Sequence, residues 1–181
     1  MQNCVLIDYE RAFSRPPARQ RENGGKIMNM ETQDKVFISY GHDEEAITTL
    51  AKFIEDLGLK PTVLDEQPGN DLTVIENLDK YADDTGFVIA LLTPDDVGGV
   101  KNEAVQQLNP RAHQNVIFEI GYFIGKLNPN QVCLLYKEGV ELPLGIPDVA
   151  YVSMDSAGDW RLKIGQEMQN AGIPVDMNKL F

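Results

Sequence analysis

The 181-residue sequence is poor in cysteine and histidine, with two of each. Neither Cys4 nor Cys133 has the neighbours that a zinc site or a disulfide framework requires, so neither is expected to organise the fold. No apolar run approaches the roughly 20 residues needed to span a bilayer. The short CVLI segment near the start is followed by acidic residues, unlike the apolar core of a signal peptide. These absences predict a cytoplasmic protein without a membrane segment.

Positive charge is also scarce, and the formal net charge is -12. Residues 1–34 carry five basic and five acidic side chains, whereas residues 35–181 carry eleven basic and 23 acidic ones. A surface of this kind repels phosphate backbones, which argues against nucleic acid as a general partner. A single nucleotide remains compatible with it, because a pocket of backbone amides or one arginine is enough to hold its phosphates.

The chain divides into an N-terminal extension and one domain. Residues 1–34 show no hydrophobic period and include the Pro-, Gly- and Arg-rich segment SRPPARQRENGGK, which predicts a flexible extension. Residues 35–181 alternate short apolar runs with amphipathic segments. The run GFVIALLTP is continuously apolar, which is typical of a strand buried on both faces. The alternation predicts an α/β fold with a five-stranded parallel sheet and helices on both faces.

Three of the amphipathic segments carry clear helix signals. Asp43 is predicted to cap a helix that ends at Gly58, and a last helix is predicted to end at Gly172. Between them, TVIENLDKYADDT predicts a helix with an apolar stripe. The members of that stripe are Val74, Ile75, Leu78 and Tyr81.

Ligands of open parallel sheets bind at the carboxyl ends of the strands. The first of these ends carries the candidate substrate-binding residues Tyr40, Gly41, His42 and Asp43. For His42 a solvated position before a helix is the alternative, and for Asp43 a helix cap. The ends of the next two strands, residues 65–69 and 93–96, are also polar. The adjacent acids Asp95 and Asp96 are interpreted as solvated or as capping a turn, and no metal site is predicted.

The segment NPRAHQNVIFEIGYFIGK predicts a helix capped by Asn109 with Pro110 at its first position. On this helix Arg111, Asn115 and Glu119 are four residues apart and form one polar stripe, which Tyr122 and Lys126 prolong. Gly121 and Gly125 form a second stripe, at which a backbone or a ligand can approach closely. The remaining positions are apolar and predict a mostly buried helix, Phe118 included.

Glu119 is the unexpected residue of this helix, because a buried carboxylate is unfavourable unless it is paired or used. Pairing with a cation at a helix edge is the structural interpretation, and a role in a ligand pocket is the functional one. Asn115, one turn earlier, is a candidate to hold a ribose or to orient the carboxylate, and Tyr122 is a further candidate substrate-binding residue. Arg111 is a candidate diphosphate ligand or else a surface residue at the helix start.

The ordered blocks KVFISYGHDEEA, FVIALLTPDDVGG, RAHQNVIFEIGYFIGKL and VCLLYKEGVELP resemble bacterial Toll/interleukin-1 receptor (TIR)-like domains. These are the predicted nucleotide-binding members found in antiphage systems, and the resemblance covers residues 35–181. It implies a flavodoxin-like TIR fold and cleavage of NAD+ as substrate, with no cofactor. It matches Glu119 to the catalytic glutamate and Gln67, Pro68 and Gly69 to the loop that mediates TIR–TIR assembly.

The resemblance therefore implies an NAD+ glycohydrolase, with ADP-ribose or a cyclic isomer as product, activated by self-assembly in antiphage defence. No receptor domain is recognisable, so an activating partner or a cyclic-nucleotide sensor is expected in trans. Two alternatives remain open. One is an N-glycosidic enzyme related to nucleoside 2′-deoxyribosyltransferases, and the other is a non-catalytic TIR assembly module.

Overall fold

A computed structural model of the chain describes residues 34–63, 73–99, 101, 108–143, 145–146 and 148–180. The predicted flexible extension, apart from residue 34, and the predicted assembly loop at Gln67, Pro68 and Gly69 lie outside the described residues. Those two predictions therefore stay predictions.

The main sheet has five parallel strands in the order β2-β1-β3-β6-β7. They are β1 (Lys35–Ser39), β2 (Lys60–Val63), β3 (Phe87–Leu92), β6 (Val132–Tyr136) and β7 (Ala150–Ser153). The central strand β3 is buried along its whole length, as its unbroken apolar sequence predicts. The predicted α/β fold class, a flavodoxin-like fold with a five-stranded parallel sheet, is confirmed.

Among the described residues, four α-helices cover the two faces of the sheet. They are α1 (Glu44–Asp56), α2 (Val74–Asp83), α3 (Gln114–Lys126) and α4 (Trp160–Asn170). Residues of α1 and α4 share one apolar cluster with Val36 and Ile38, whereas α2 and α3 share the other with Phe37. Alternate residues of β1 thus point to opposite faces, as the two-residue period of a strand requires.

The helix ends agree with the local sequence signals. Asp43 caps α1, since its carboxylate accepts from the Ala46 amide at 2.9 Å, and Gly58 follows the helix with φ of 85°. Gly172 closes the turn after α4 with φ of 87°. Both glycines occupy the left-handed region, which side chains with a Cβ avoid. The predicted ends of these helices are confirmed.

The segment before α3 differs from its prediction. Instead of a helix from Asn109, a strand β5 (Asn109–Arg111) pairs antiparallel with β4 (Asp96–Gly98), and α3 begins only at Gln114. The Pro110 carbonyl also accepts from the Glu141 amide at 2.8 Å. The predicted helix start was wrong because these main-chain groups find partners in distant segments, which the local Asn-Pro signal does not report.

Several apolar side chains of α2 and α3 are exposed. Val74 and Ile75 of the predicted apolar stripe are 58% and 43% exposed, and Phe118 is 52% exposed. A helix that packs on a sheet through one side buries only a narrow stripe, which in α2 is Leu78 and Ala82. For the same reason the predictions that Phe118 is buried and that α3 is mostly buried were wrong. Gly121 and Gly125 also face open space, with no atom within 4 Å of a Cβ built there.

The two kinds of glycine are expected to respond oppositely to alanine. Gly172→Ala forces a Cβ into the left-handed region and is expected to lower the free energy of unfolding by about 1–2 kcal/mol. Gly121→Ala adds a better helix former in open space and is expected to raise it by about 0.5–1 kcal/mol. Urea unfolding of the two variants beside the wild type measures both changes. A destabilised Gly121→Ala would contradict the open surroundings described for α3.

Candidate active site at the carboxyl edge of the sheet

Helix α3 carries the predicted catalytic carboxylate into the protein interior. Because α3 connects the parallel strands β3 and β6, it begins at the carboxyl edge of the sheet and runs back towards the amino edge. Its buried stripe consists of Val116, Glu119, Ile120 and Phe123. Glu119 is only 7% exposed, and it interacts with at least one other group of the protein. The sequence-based expectation of a buried acid on this helix is confirmed.

The loop after β1 lies against this helix start. A Cβ built at Gly41 would approach Oδ2 of Asp95 to 2.1 Å and Cβ of His113 to 3.2 Å, so only glycine fits here without movement. The His42 amide donates to Oδ1 of Asp95 at 3.2 Å, and the Thr93 hydroxyl donates to Oδ2 at 2.7 Å. Asp95 therefore joins the loop after β1 to the loop after β3.

His113 is a residue of this edge that the sequence reasoning missed. It caps α3, because its Nδ1 accepts from the Asn115 amide at 3.4 Å, and its ring meets that of His42 edge-on with centroids 4.9 Å apart. Both histidines of the chain are therefore neighbours. The predicted earlier helix start placed His113 inside the helix, which hid its capping role.

Asp43 is engaged in two structural contacts at this edge. One oxygen caps α1, and the other accepts from Nζ of Lys137, just after β6, at 2.7 Å. The Lys137 ammonium holds the pKa of the Asp43 carboxyl below its usual range, and the Ala46 amide adds to this effect. Asp43 thus ties the start of α1 to the end of β6.

Arg111 lies in β5 and not on α3, so the predicted stripe of Arg111, Asn115 and Glu119 is incomplete. Its guanidinium forms a forked pair with Glu141, with nitrogen–oxygen distances of 3.1 and 2.8 Å. Gly98 leaves room for this arrangement, since a Cβ there would come within 2.7 Å of Nη1 of Arg111. The role of Arg111 as a diphosphate ligand stays a prediction.

A cavity of about 380 Å³ lies beside this ion pair. Arg111 and Glu141 line it together with the apolar side chains of Val97 and Ile117. Ile117 and Glu119 are two positions apart on α3, which is about 200° around the helix. The cavity and the carboxylate therefore lie on opposite sides of α3.

The remaining candidates are distributed around the edge. Asn115 is exposed in the first turn of α3, one turn before Glu119. Tyr122 is held by α2, because its hydroxyl donates to Asp79, which also accepts from Lys126 at 2.6 Å. Burial and then this carboxylate raise the pKa of Tyr122. Tyr40 packs against the cluster of α1 and α4, on the face of the sheet opposite Glu119.

The geometry thus separates the candidates into two groups. Gly41 and His42 lie against His113 at the start of α3, Asn115 lies in the first turn of this helix, and Glu119 lies one turn further along it. Asp43 follows His42 in the chain and contacts Ala46 and Lys137. Tyr40, Arg111 and Tyr122 are held elsewhere by their own contacts.

Residues 35–156 match the family model described as "CAP12/Pycsar effector protein, TIR domain". The chain belongs to this family. The TIR domain is 39% identical to the uncharacterized protein YuaY of Escherichia coli (strain K12), over 80% of this chain and 48% of that protein. It is 36% identical to protein tirC of Dictyostelium discoideum, over 56% of this chain and 51% of that protein.

A third relative is the Pycsar effector protein PaPycTIR of Pseudomonas aeruginosa, 37% identical over 39% of this chain and 21% of that protein. The chain thus spans about half the length of YuaY and of tirC, and a smaller part of PaPycTIR. The resemblance inferred from the sequence motifs is confirmed at the level of the family.

Three further observations concern the described part of the TIR domain. None of its helices is both long and apolar enough to cross a membrane. Among these residues no three His, Cys, Asp or Glu side chains are grouped as a metal site would require. Cys133 is a free, fully buried thiol, and burial raises its pKa.

The pair of Asp43 and Lys137 is expected to make stability depend on acid pH. The pKa of Asp43 is lowered in the folded state. The ion pair therefore contributes its full stabilisation of the folded state above the usual Asp pKa of about 3.9. This contribution is lost as the pH falls through the lowered pKa of Asp43. Asp43→Asn keeps the cap and removes the charge. We expect it to lower the free energy of unfolding at pH 7 by about 0.5–1 kcal/mol.

Urea unfolding of wild type and Asp43→Asn at pH 7 and at about pH 3 tests this expectation. The difference in the free energy of unfolding between wild type and Asp43→Asn is expected to be smaller at the lower pH. A difference that is the same at both pH values would show that the charge of Asp43 contributes nothing.

Proposed function

We propose that this TIR domain cleaves the nicotinamide–ribose bond of NAD+, with Glu119 as the catalytic carboxylate. The observation that carries the proposal is the burial of Glu119 at 7% exposure on the helix that starts at the ligand-binding edge of the sheet. Family membership supports it, because NAD+ cleavage is the activity that the resemblance to TIR-like domains implies.

The chemistry suits a site with one carboxylate. The nicotinamide of NAD+ is already a cation, so it leaves as a neutral base when the C1′–N bond breaks and the bonding electrons pass to its nitrogen. Positive charge then develops on the ribose, as in glycoside cleavage. A carboxylate in a water-poor site stabilises that charge strongly. Water attacks C1′ and releases its proton to give ADP-ribose, or an internal nucleophile closes a cyclic isomer.

The proposal assigns roles to the residues near the start of α3. Gly41 and His42, which lie against His113, would form a wall of the site, and Asn115, exposed one turn before Glu119, would contact the ribose or orient the carboxylate. Arg111 can bind the diphosphate of NAD+ only by leaving or sharing its forked contact with Glu141. Tyr122 serves chiefly to hold α3 against α2 through Asp79.

We further propose that the activity is switched on by association of TIR domains, in response to a cyclic-nucleotide sensor in trans, and serves antiphage defence. The supporting observation is the similarity to a protein named as a Pycsar effector and to the corresponding family model. Association is assigned to the loop at Gln67, Pro68 and Gly69 by resemblance alone.

Removal of the carboxylate is expected to abolish the reaction. Glu119→Gln keeps the size of the side chain and is expected to lower nicotinamide release from NAD+ by at least about a hundredfold. The matched control is Glu55→Gln, since Glu55 is an exposed residue of α1 on the other face of the sheet. Both variants and the wild type are incubated with NAD+ at high protein concentration, and the products are separated by chromatography.

Two further measurements on the wild type distinguish the competing functions. Unchanged NAD+ in the incubation, together with concentration-dependent self-association in analytical ultracentrifugation, would favour the assembly module. In a separate incubation with deoxynucleosides and free bases, exchange of the bases would favour the transferase. Turnover of Glu119→Gln at the rate of Glu55→Gln would remove Glu119 from the mechanism.

A further inference from the structure

Ser39, the last residue of β1, is a buried polar residue whose hydroxyl forms no hydrogen bond with the protein. Its side chain is 2% exposed. In the described part of the chain it is the one buried hydroxyl in this condition; Thr85 and Thr93, also buried, both donate to protein oxygens. A buried hydroxyl without a partner destabilises a fold, so its presence calls for a reason.

The strand register places this hydroxyl on the same face of the sheet as α3. Val36 and Ile38 belong to the cluster under α1 and α4, and Phe37 to the cluster under α2 and α3. Ser39 shares the face of Phe37, because side chains alternate along a strand. It therefore points towards the helix that carries Glu119.

The height of Ser39 on that face follows from one ring contact. Phe37 packs on Phe123 of α3 with centroids 4.8 Å apart. Ser39 follows Phe37 by two residues on β1, so it lies about 6.6 Å closer to the carboxyl edge of the sheet. Helix α3 runs in the opposite direction, so Glu119, four residues before Phe123, lies about 6 Å closer to the same edge. Ser39 and Glu119 therefore lie at the same level between strand and helix.

We propose that Ser39 is a positioning residue for Glu119, and that its hydroxyl donates a hydrogen bond to the Glu119 carboxylate when substrate is bound. The inference rests on the proposed cleavage of NAD+. A carboxylate accepts about four hydrogen bonds, so it can receive the Ser39 hydroxyl while it keeps another partner. A direct contact between substrate and Ser39 is disfavoured, because a side chain 2% exposed is reached only by displacing protein atoms.

This role has a signature that separates it from a structural one. Ser39→Ala removes a hydroxyl that is unsatisfied in the unliganded fold, so the melting temperature is expected to stay unchanged or to rise by about 2–4 °C. The catalytic carboxylate loses a donor, so kcat is expected to fall about tenfold to a hundredfold. KM is expected to change by no more than about twofold, because the lost bond is not to substrate.

Two further variants make the comparison strict. Ser39→Cys keeps a side chain of similar size with only a weak donor, and its kcat is expected between those of wild type and Ser39→Ala. Thr85→Val is the matched control. The Thr85 hydroxyl is also buried, but it donates to the Lys35 and Phe87 carbonyls at the amino edge of the sheet, 3.1 and 3.3 Å away. Its removal is expected to lower the melting temperature and leave kcat unchanged.

The measurements are NAD+ turnover at saturating and at low substrate, and thermal unfolding, on the full chain with all four proteins at the same concentration. A stable Ser39→Ala with reduced kcat and near-constant KM supports the inference. Wild-type turnover by Ser39→Ala overturns it and leaves the proposed function in place, and so does a loss that appears mainly in KM. Absence of turnover by the wild type overturns the proposed function and this inference with it.

Discussion

The packing of α3 on the sheet through Phe37 and Phe123 is the contact on which the site depends. It fixes which residues of α3 face the sheet and how far along the strands they lie. Because position 119 is one turn before Phe123 on the same side of the helix, its side chain enters the space between helix and sheet. The same contact directs Ile117 and Phe118 away from the core, where both are exposed. A carboxylate at position 119 is therefore buried by the fold, and no separate lid is needed to lower the polarity around it.

Two ion pairs hold segments together near the carboxyl edge. Asp43 with Lys137 joins α1 to the end of β6, and Arg111 with Glu141 joins β5 to the segment after β6. A third pair, Asp79 with Lys126, holds the far end of α3 to α2. Each of these pairs is partly exposed, and pairs of this kind stabilise little individually. Together they limit the relative movement of α3 and its neighbours, which would pre-organise the proposed site.

The sheet and the caps of α1 and α4 were predictable because their signals are local. The apolar run of β3, the Asp43 cap and the glycines after α1 and α4 each act within a few residues. The start of α3 was not predictable in this way, because β5 pairs with β4, more than ten residues earlier in the chain. For the same reason the capping role of His113 and the pairing of Arg111 with Glu141 were missed. Glu119 was found because it is a charged residue within an otherwise apolar segment.

Glu119 and Ser39 are buried polar residues on the face of the sheet that α3 covers, where most of the neighbouring buried side chains are apolar. Apolar side chains of similar size at both positions would pack in the same space without the loss of hydration that a buried carboxylate and an unpartnered hydroxyl incur. Natural sequences break such local rules chiefly at functional sites. A module that only associates with copies of itself has no use for these buried groups, since association takes place at the surface. A buried acid is instead what the proposed stabilisation of a sugar cation would use, and for this reason we propose catalysis in preference to assembly alone.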